Sequence, residues 1–404
     1  MSDSIPNRGL PLITRGALVL AAFATALAFS IILPNLPSRI AAVSGFDDPA
    51  TISRHTGFMT AAYTAAIFVS APCLGRISDG WGRRPVLVLG LAGFSTSLML
   101  FELASDLLLL YMARALAGVS AAAITPVALA TVGDWSPDDG WRARRFAWIG
   151  AATMIGFMVG PLLGGTLSIL SSKQAQLGAG APLLWPIVLA LVSACVIART
   201  VPVTKSAPSS PANTIVLRGT DEPRTSQSLL VLAAIVAGSV AAFDVHLALR
   251  GNLGSSASGL TIGLMLAECS AVMLLAQILV FSPLVPPKAT RWLIAPALGM
   301  LGLALALASA ATTTPALALG VGAIAMTAGV AAPIITYWTS LIAGEHQGED
   351  LGRWIAVTSL GQAVGSAAAG LLLSHGLSNA MFAIASALAL TGMIIAAWLA
   401  KRLA

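Results

Sequence analysis

The stretch Gly75-Arg76-Ile77-Ser78-Asp79-Gly80-Trp81-Gly82-Arg83-Arg84-Pro85 separates two long apolar runs of the chain. Its three glycines let the backbone bend tightly, and one carboxylate faces a pair of arginines across the bend. An acid in such a place can pair with the arginines or meet the positive N-terminus of a neighbouring helix. The stretch reads as a charged hairpin in water that joins two segments which avoid water.

Composition extends that contrast to the whole chain. Of 404 residues, 57% are hydrophobic and only 9% are charged, against about 25% charged in a soluble domain. Lipid must cover most of the surface. Apolar runs of about 20 residues, the length a spanning helix needs, begin near Gly16, Gly57, Pro85, Leu107, Phe146 and Ala181. Six more begin near Ser228, Ala257, Arg291, Pro315, Leu351 and Leu377. The first run ends in Pro34-Asn35-Leu36-Pro37 rather than a small-residue cleavage site, so it is expected to stay as a span. Backbone polar groups in lipid must be satisfied within each segment, which makes all twelve spans helices.

The basic residues give the orientation. With both termini in the cytoplasm, 17 of the 22 Lys and Arg residues fall in cytoplasmic segments and 4 in external ones, while Arg114 lies within a span. This is the asymmetry of the positive-inside rule. It accounts for the net charge of +6 without nucleic acid as a partner. The expected location is the inner (cytoplasmic) membrane, crossed many times by a monomer.

Cys73, Cys195 and Cys269 lie in apolar runs with no paired spacing, and the four histidines form no ligand pattern. Neither a disulfide framework nor a metal or other cofactor is expected. No nucleophile–base pair stands out, so the chain does not read as an enzyme. Residues 201–227 hold Pro202, Pro208, Pro211, Pro223, several serines and mixed charge, the composition of a flexible linker. It divides the chain into 1–200 and 228–404, with six spans in each. Gly156, Gly160 and Gly165 in the fifth span match Gly361, Gly365 and Gly370 in the eleventh at one offset of 205, close to half the chain. Two repeated halves would enclose a cavity at mid-membrane depth.

The spacing G-x-x-x-D-x-x-G-R-R of the hairpin resembles the signature loop of the major facilitator superfamily. The resemblance implies a cytoplasmic latch made by Gly75, Asp79, Gly82, Arg83 and Arg84, with a departure at Gly80, where the family usually has a basic residue. Arg114 followed by Gly118 resembles the family's R-x-x-x-G motif, whose arginine is implicated in proton coupling. Gly156, Gly160, Pro161, Gly164 and Gly165 are similar to the G-x-x-x-G-P-x-x-G-G motif of the family's antiporters, which is thought to prevent leak. The layout resembles that of twelve-span drug:proton antiporters, including tetracycline efflux pumps. It implies an all-α membrane protein of two pseudo-symmetric six-helix halves.

The match breaks at one position. Related pumps often carry an aspartate nine residues before the first proline of the P-x-x-P segment, and here Thr25 stands there. Coupling needs another acid. Ionisable groups inside spans are costly and so are functional candidates. Glu268 lies about eleven residues into the eighth span, roughly 16 Å deep and close to the middle of the bilayer. Asp244 and His246 in the seventh span and Glu102 in the third lie nearer the outer face, and Arg114 is a candidate cation for Glu268. Thr25, Asn35, Gln277, Tyr337 and Gln362 are candidate cavity residues. The expected function is proton-coupled efflux of small amphipathic molecules, with an uptake or facilitative carrier for a siderophore, sugar or organic acid as the alternative.

Overall fold

The computed structural model describes residues 10–135, 139–173, 181–201, 222–250, 259–280, 282, 285–311, 313–342 and 347–402. Most of the expected linker, 202–221, lies outside the described residues, as do Arg8, Lys205, Arg218 and Glu345. Among the described residues there are twelve α-helices: α1 Leu12–Ser44, α2 Pro49–Trp81, α3 Arg83–Leu103, α4 Leu107–Asp134, α5 Asp139–Lys173 and α6 Ala181–Thr200. The second six are α7 Glu222–Arg250, α8 Gly259–Val280, α9 Arg291–Ser309, α10 Thr314–Ile342, α11 Gln347–Ser374 and α12 Ser378–Arg402. All twelve are long and apolar enough to cross a membrane.

Their outer faces are as apolar as their inner ones. Val69, Leu108 and Leu319 are 68%, 69% and 77% exposed, and side chains like these surround the bundle. In water such a surface would be an aggregation site. In lipid it is the solvated face, and packing between helices must come from close van der Waals fit.

Several helices run beyond their apolar stretch. α5 starts at Asp139, seven residues before the expected Phe146, and α7 starts at Glu222, six before Ser228. Residues 222–227 are thus helical rather than linker, and Pro223 fits there because the first turn of a helix needs no N–H from it. Hydropathy marks the part of a helix in lipid, and these first turns extend past it. At the other end of the bundle Asp48 caps α2, accepting from Thr51 Oγ1 at 2.6 Å, Thr51 N at 3.0 Å and Ala50 N at 3.3 Å. The Thr51 hydroxyl first, then the two amides, hold the Asp48 carboxyl below the usual range.

The packing has a two-fold plan. In the first half α1 packs on α5 and α6, α4 on α2 and α3, and α3 on α6. In the second half the same holds for α7 on α11 and α12, α10 on α8 and α9, and α9 on α12. Adding six to each number converts one set into the other. The two main contacts between the halves, α2 with α11 and α5 with α8, are exchanged by the same operation. The seam between the halves runs along α1, α2 and α5 on one side and α7, α8 and α11 on the other.

Candidate functional site

A single residue, Gly82, joins α2 to α3. Its φ of 95° lies where a Cβ is disfavoured, so a glycine at this position makes the hairpin sharp. The bend brings Arg83 beside three groups. Arg83 Nη1 lies 2.5 Å from Asp79 Oδ1 and donates to Ser78 Oγ at 2.6 Å, and Nε donates to Asp134 Oδ2 at 2.9 Å. Asp134, at the end of α4, is absent from the expected latch. It is a lone carboxylate closing a span, and only its position in the fold reveals the pairing. Its side chain is 18% exposed and that of Asp79 is 62% exposed, so the Asp134 pair is the less screened and the stronger of the two.

Arg84 is half-buried and takes no part in these pairs. A side chain added at Gly75 or Gly80 would meet open space. Asp79 therefore pairs within its own half, and the hairpin's outer face is not packed on the other half. At the opposite end of the bundle the halves touch through backbone. A Cβ at Gly57 of α2 would lie 2.6 Å from Gly370 Cα of α11.

The glycines of α5 lie against α1. A Cβ at Gly156 would come within 2.8 Å of the Phe23 carbonyl, one at Gly160 within 2.9 Å of the Leu27 carbonyl, and one at Gly164 within 2.7 Å of Asn35 Nδ2. Ser30 Oγ donates across the contact to the Gly156 carbonyl at 3.0 Å. Pro161 follows directly and removes a helix hydrogen bond. The side-chain surroundings of Gly165 lie outside the described residues. Two of the three matching glycines of α11 do the same to α7, Gly361 abutting the Ala234 carbonyl and Gly365 the Gly238 carbonyl, while Gly370 meets Gly57 of α2. The acceptors Phe23 and Leu27 stand 211 residues before Ala234 and Gly238. The repeat seen in the glycines is a repeat of helix contacts.

A second pair extends it. Gly118 of α4 abuts Tyr63 and Ala66 of α2, and Gly329 of α10 abuts Met273 and Ala276 of α8. The glycines are 211 residues apart and their partners 210. Gly118 is required because the α2 backbone leaves no space for a side chain.

Four residues before Gly118, Arg114 is 2% exposed. Its guanidinium carbon lies 4.6 Å from the centre of the Tyr63 ring and 5.5 Å from that of Phe29. These rings are 5.1 Å apart, and Phe157 of α5 meets Phe29 edge-on at 5.9 Å. Among the described residues Arg114 has no ion pair, and its Nε is sealed off without a hydrogen-bond partner. Each cation–π contact contributes about 1–2 kcal/mol at best, while burying an ion costs several kcal/mol. The rings offset only part of that cost. The sequence placed Arg114 in the span, but the aromatic cage comes from three different helices and has no local signature.

Glu268 sits at the tenth position of the 22-residue α8, near mid-helix, and is half-buried. Its carboxylate faces α10, where a Cβ at Gly322 would lie 3.2 Å from Oε1. Asp244 of α7 is also half-buried, and Cys269 lies within electrostatic reach of both carboxylates. Neither acid forms an ion pair among the described residues. No ion pair joins Arg114 to Glu268 among the described residues. Arg114 turns to the rings of its own half and Glu268 to α10 of the other. His246, two residues from Asp244 and so on another face, is buried edge-on to Phe382 at 4.9 Å.

The remaining candidates are dispersed. Thr25 is buried and donates to the Ala22 carbonyl at 2.9 Å. Asn35 Nδ2 donates to the Ile31 carbonyl at 2.8 Å beside Gly164. Gln277 reaches across the seam to Met154 of α5, Nε2 to Sδ 3.9 Å. Tyr337 meets Trp338 edge-on at 5.9 Å, and Gln362 is half-buried on α11. A shallow groove formed by Arg224, Val231, Ile394 and Trp398 lies on the outer surface of α7 and α12, away from the seam.

Comparison with known proteins agrees with this architecture. The chain is 35% identical to the tetracycline resistance protein, class B, of Escherichia coli over 140 residues, which is 35% of this chain and 34% of that protein. The match thus spans about a third of that relative's length. Multidrug resistance protein 2 of Bacillus subtilis (strain 168) is 26% identical over 363 residues, 87% of this chain and 86% of its own. The crystal structure of the human organic anion transporter MFSD10 (TETRAN) superposes with a TM-score of 0.72 at 22% identity, covering 97% of this chain and 100% of that one. Residues 18–320 match the sequence profile of the Major Facilitator Superfamily. Twelve spans packed six against six, with the hairpin at the head of α3 and the glycine seam of α5 on α1, place the chain in the major facilitator superfamily of membrane transporters.

Proposed function

We propose that this transporter exports small amphipathic organic molecules in exchange for protons by alternating access. The observation that carries the proposal is the seating of Gly156, Gly160 and Gly164 on the α1 backbone, since this segment matches the antiporter motif. Residues 1–200 and 228–404 are the two moving halves, joined by the segment 201–227, with both termini on the cytoplasmic side of the inner membrane. In the conformer described, the halves meet through backbone at Gly57 and Gly370, and Gly75 and Gly80 of the hairpin face open space. In the opposite state Asp79 and the open face at Gly75 dock against the other half and latch the cytoplasmic side shut. Glu268, near mid-helix, carries the proton, and Asp244 of α7 is the other candidate carboxylate of that half.

The carboxylate-free first span, with Thr25 where related pumps place an aspartate, favours the alternative of an uptake or facilitative carrier. Accumulation of a labelled panel of amphipathic compounds in cells with and without the protein separates the two. Export predicts lower accumulation with the protein, restored when a protonophore collapses the gradient. Higher accumulation with the protein would overturn it in favour of uptake.

A further inference from the structure

The cage around Arg114 is built for a negative charge. A permanently charged guanidinium lies almost fully buried at the meeting of α1, α2, α4 and α5 with no carboxylate paired to it among the described residues. Its first neighbours are the rings of Tyr63 and Phe29, whose faces attract the cation but cannot neutralise it. Of its three nitrogens Nε is the one wholly sealed and unpartnered, which leaves the terminal fork as the part that can take a ligand. Arginine presents two parallel N–H groups there, the geometry that fits a carboxylate or sulfonate. Phe29, Tyr63 and Phe157 form an apolar, aromatic wall beside the fork.

Charged groups on the other half sharpen the contrast. Glu268 faces Gly322 and Asp244 lies on α7, so the carboxylates stand across the seam and not beside the guanidinium. An organic cation would meet Arg114 with repulsion at the first half. A molecule with an anionic group and an aromatic body would satisfy the fork and stack on the wall at once.

We propose that the transported substrates are aromatic organic anions whose acidic group docks on the terminal nitrogens of Arg114 between Phe29 and Tyr63. This rests on the transporter reading above and names its substrate class. It gives Arg114 a part in recognition, which needs no titration of the guanidinium.

The test uses the purified full chain in detergent, with 2-naphthoate and its neutral counterpart 2-naphthamide as probes, by equilibrium binding. The two share a ring system and differ in charge. The unaltered protein should bind 2-naphthoate at least about tenfold more tightly, the range of a charge-assisted hydrogen bond. Arg114→Gln should remove that preference while moving the 2-naphthamide affinity by less than about twofold. Arg114→Lys keeps the charge and loses the fork, and should retain a reduced preference. It serves as the folded control should the glutamine variant be unstable. Equal binding of the two probes, no binding of 2-naphthoate, or a preference that survives in Arg114→Gln would overturn the proposal. Arg114-dependent binding without movement across a membrane would instead sink the transport reading and leave the anion site standing. Proton-driven export of neutral amphiphiles without any anion preference would do the reverse.

Discussion

Arg39 and Arg250 stand 211 residues apart and perform the same task in the two halves. Arg39, near the end of α1, donates through Nη2 to the Glu102 carbonyl at 2.6 Å and the Ala104 carbonyl at 3.2 Å, at the end of α3. Arg250, the last residue of α7, donates through both Nη1 and Nη2 to the Ala311 carbonyl at 3.4 Å, just past the end of α9. Each satisfies carbonyls that a helix leaves unpaired at its C-terminus and sets a positive charge against the negative end of its dipole.

The carbonyl contacts at Arg39 are shorter than those at Ala311. Arg39→Gln and Arg250→Gln should each lower stability by about 1–2 kcal/mol. Thermal unfolding of the purified variants in one detergent measures both. No loss at either position would show that these arginines are solvated surface groups.

At the hairpin, stability and transport should separate. The Asp79 pair is largely exposed, so Asp79→Asn should change stability by less than about 1 kcal/mol while impairing transport, because Asp79 is the proposed latch to the other half. Asp134 holds Arg83 from a more buried position, and Asp134→Asn should lower the unfolding temperature as well. Normal turnover of Asp79→Asn in reconstituted vesicles would remove the latch from the mechanism.

Gly160 allows no side chain, since a Cβ there would collide with Ser30 and with the Leu27 carbonyl. Gly160→Leu should separate α1 from α5 and cost about 3 kcal/mol or more, by analogy with overpacking in a close-packed core. Loss of fold, or vesicles that leak protons, is the expected readout. A fully active, tight Gly160→Leu protein would mean that this face of α5 is turned to lipid.

The chain showed its spans and its repeat plainly, because lipid imposes a simple rule on composition and small residues mark where backbones meet. Gly156 and Gly160 with Gly361 and Gly365 were legible at their offset, and the contacts to α1 and α7 follow the same order. Helix ends were less legible. α5 and α7 continue into water for two turns, where hydropathy carries no signal. The partners of functional residues were mostly hidden. Nothing local ties Asp134 to Arg83 across 51 positions, nor Phe29 and Tyr63 to Arg114, since these meetings depend on how four helices are rotated. Glu268 lies at the tenth of the 22 positions of α8, and its turn toward Gly322 of α10 has no signal in the local sequence.

The central claim is that Glu268 carries the proton that drives export. The direct measurement is substrate movement in proteoliposomes under an imposed pH gradient, compared with exchange of the same substrate at equal pH on both sides. Glu268→Gln keeps the size of the side chain and cannot release a proton. It should abolish the gradient-driven movement while leaving binding and exchange intact. Undiminished pH-driven transport by Glu268→Gln would contradict the account, passing the role to Asp244 or removing protons from the cycle.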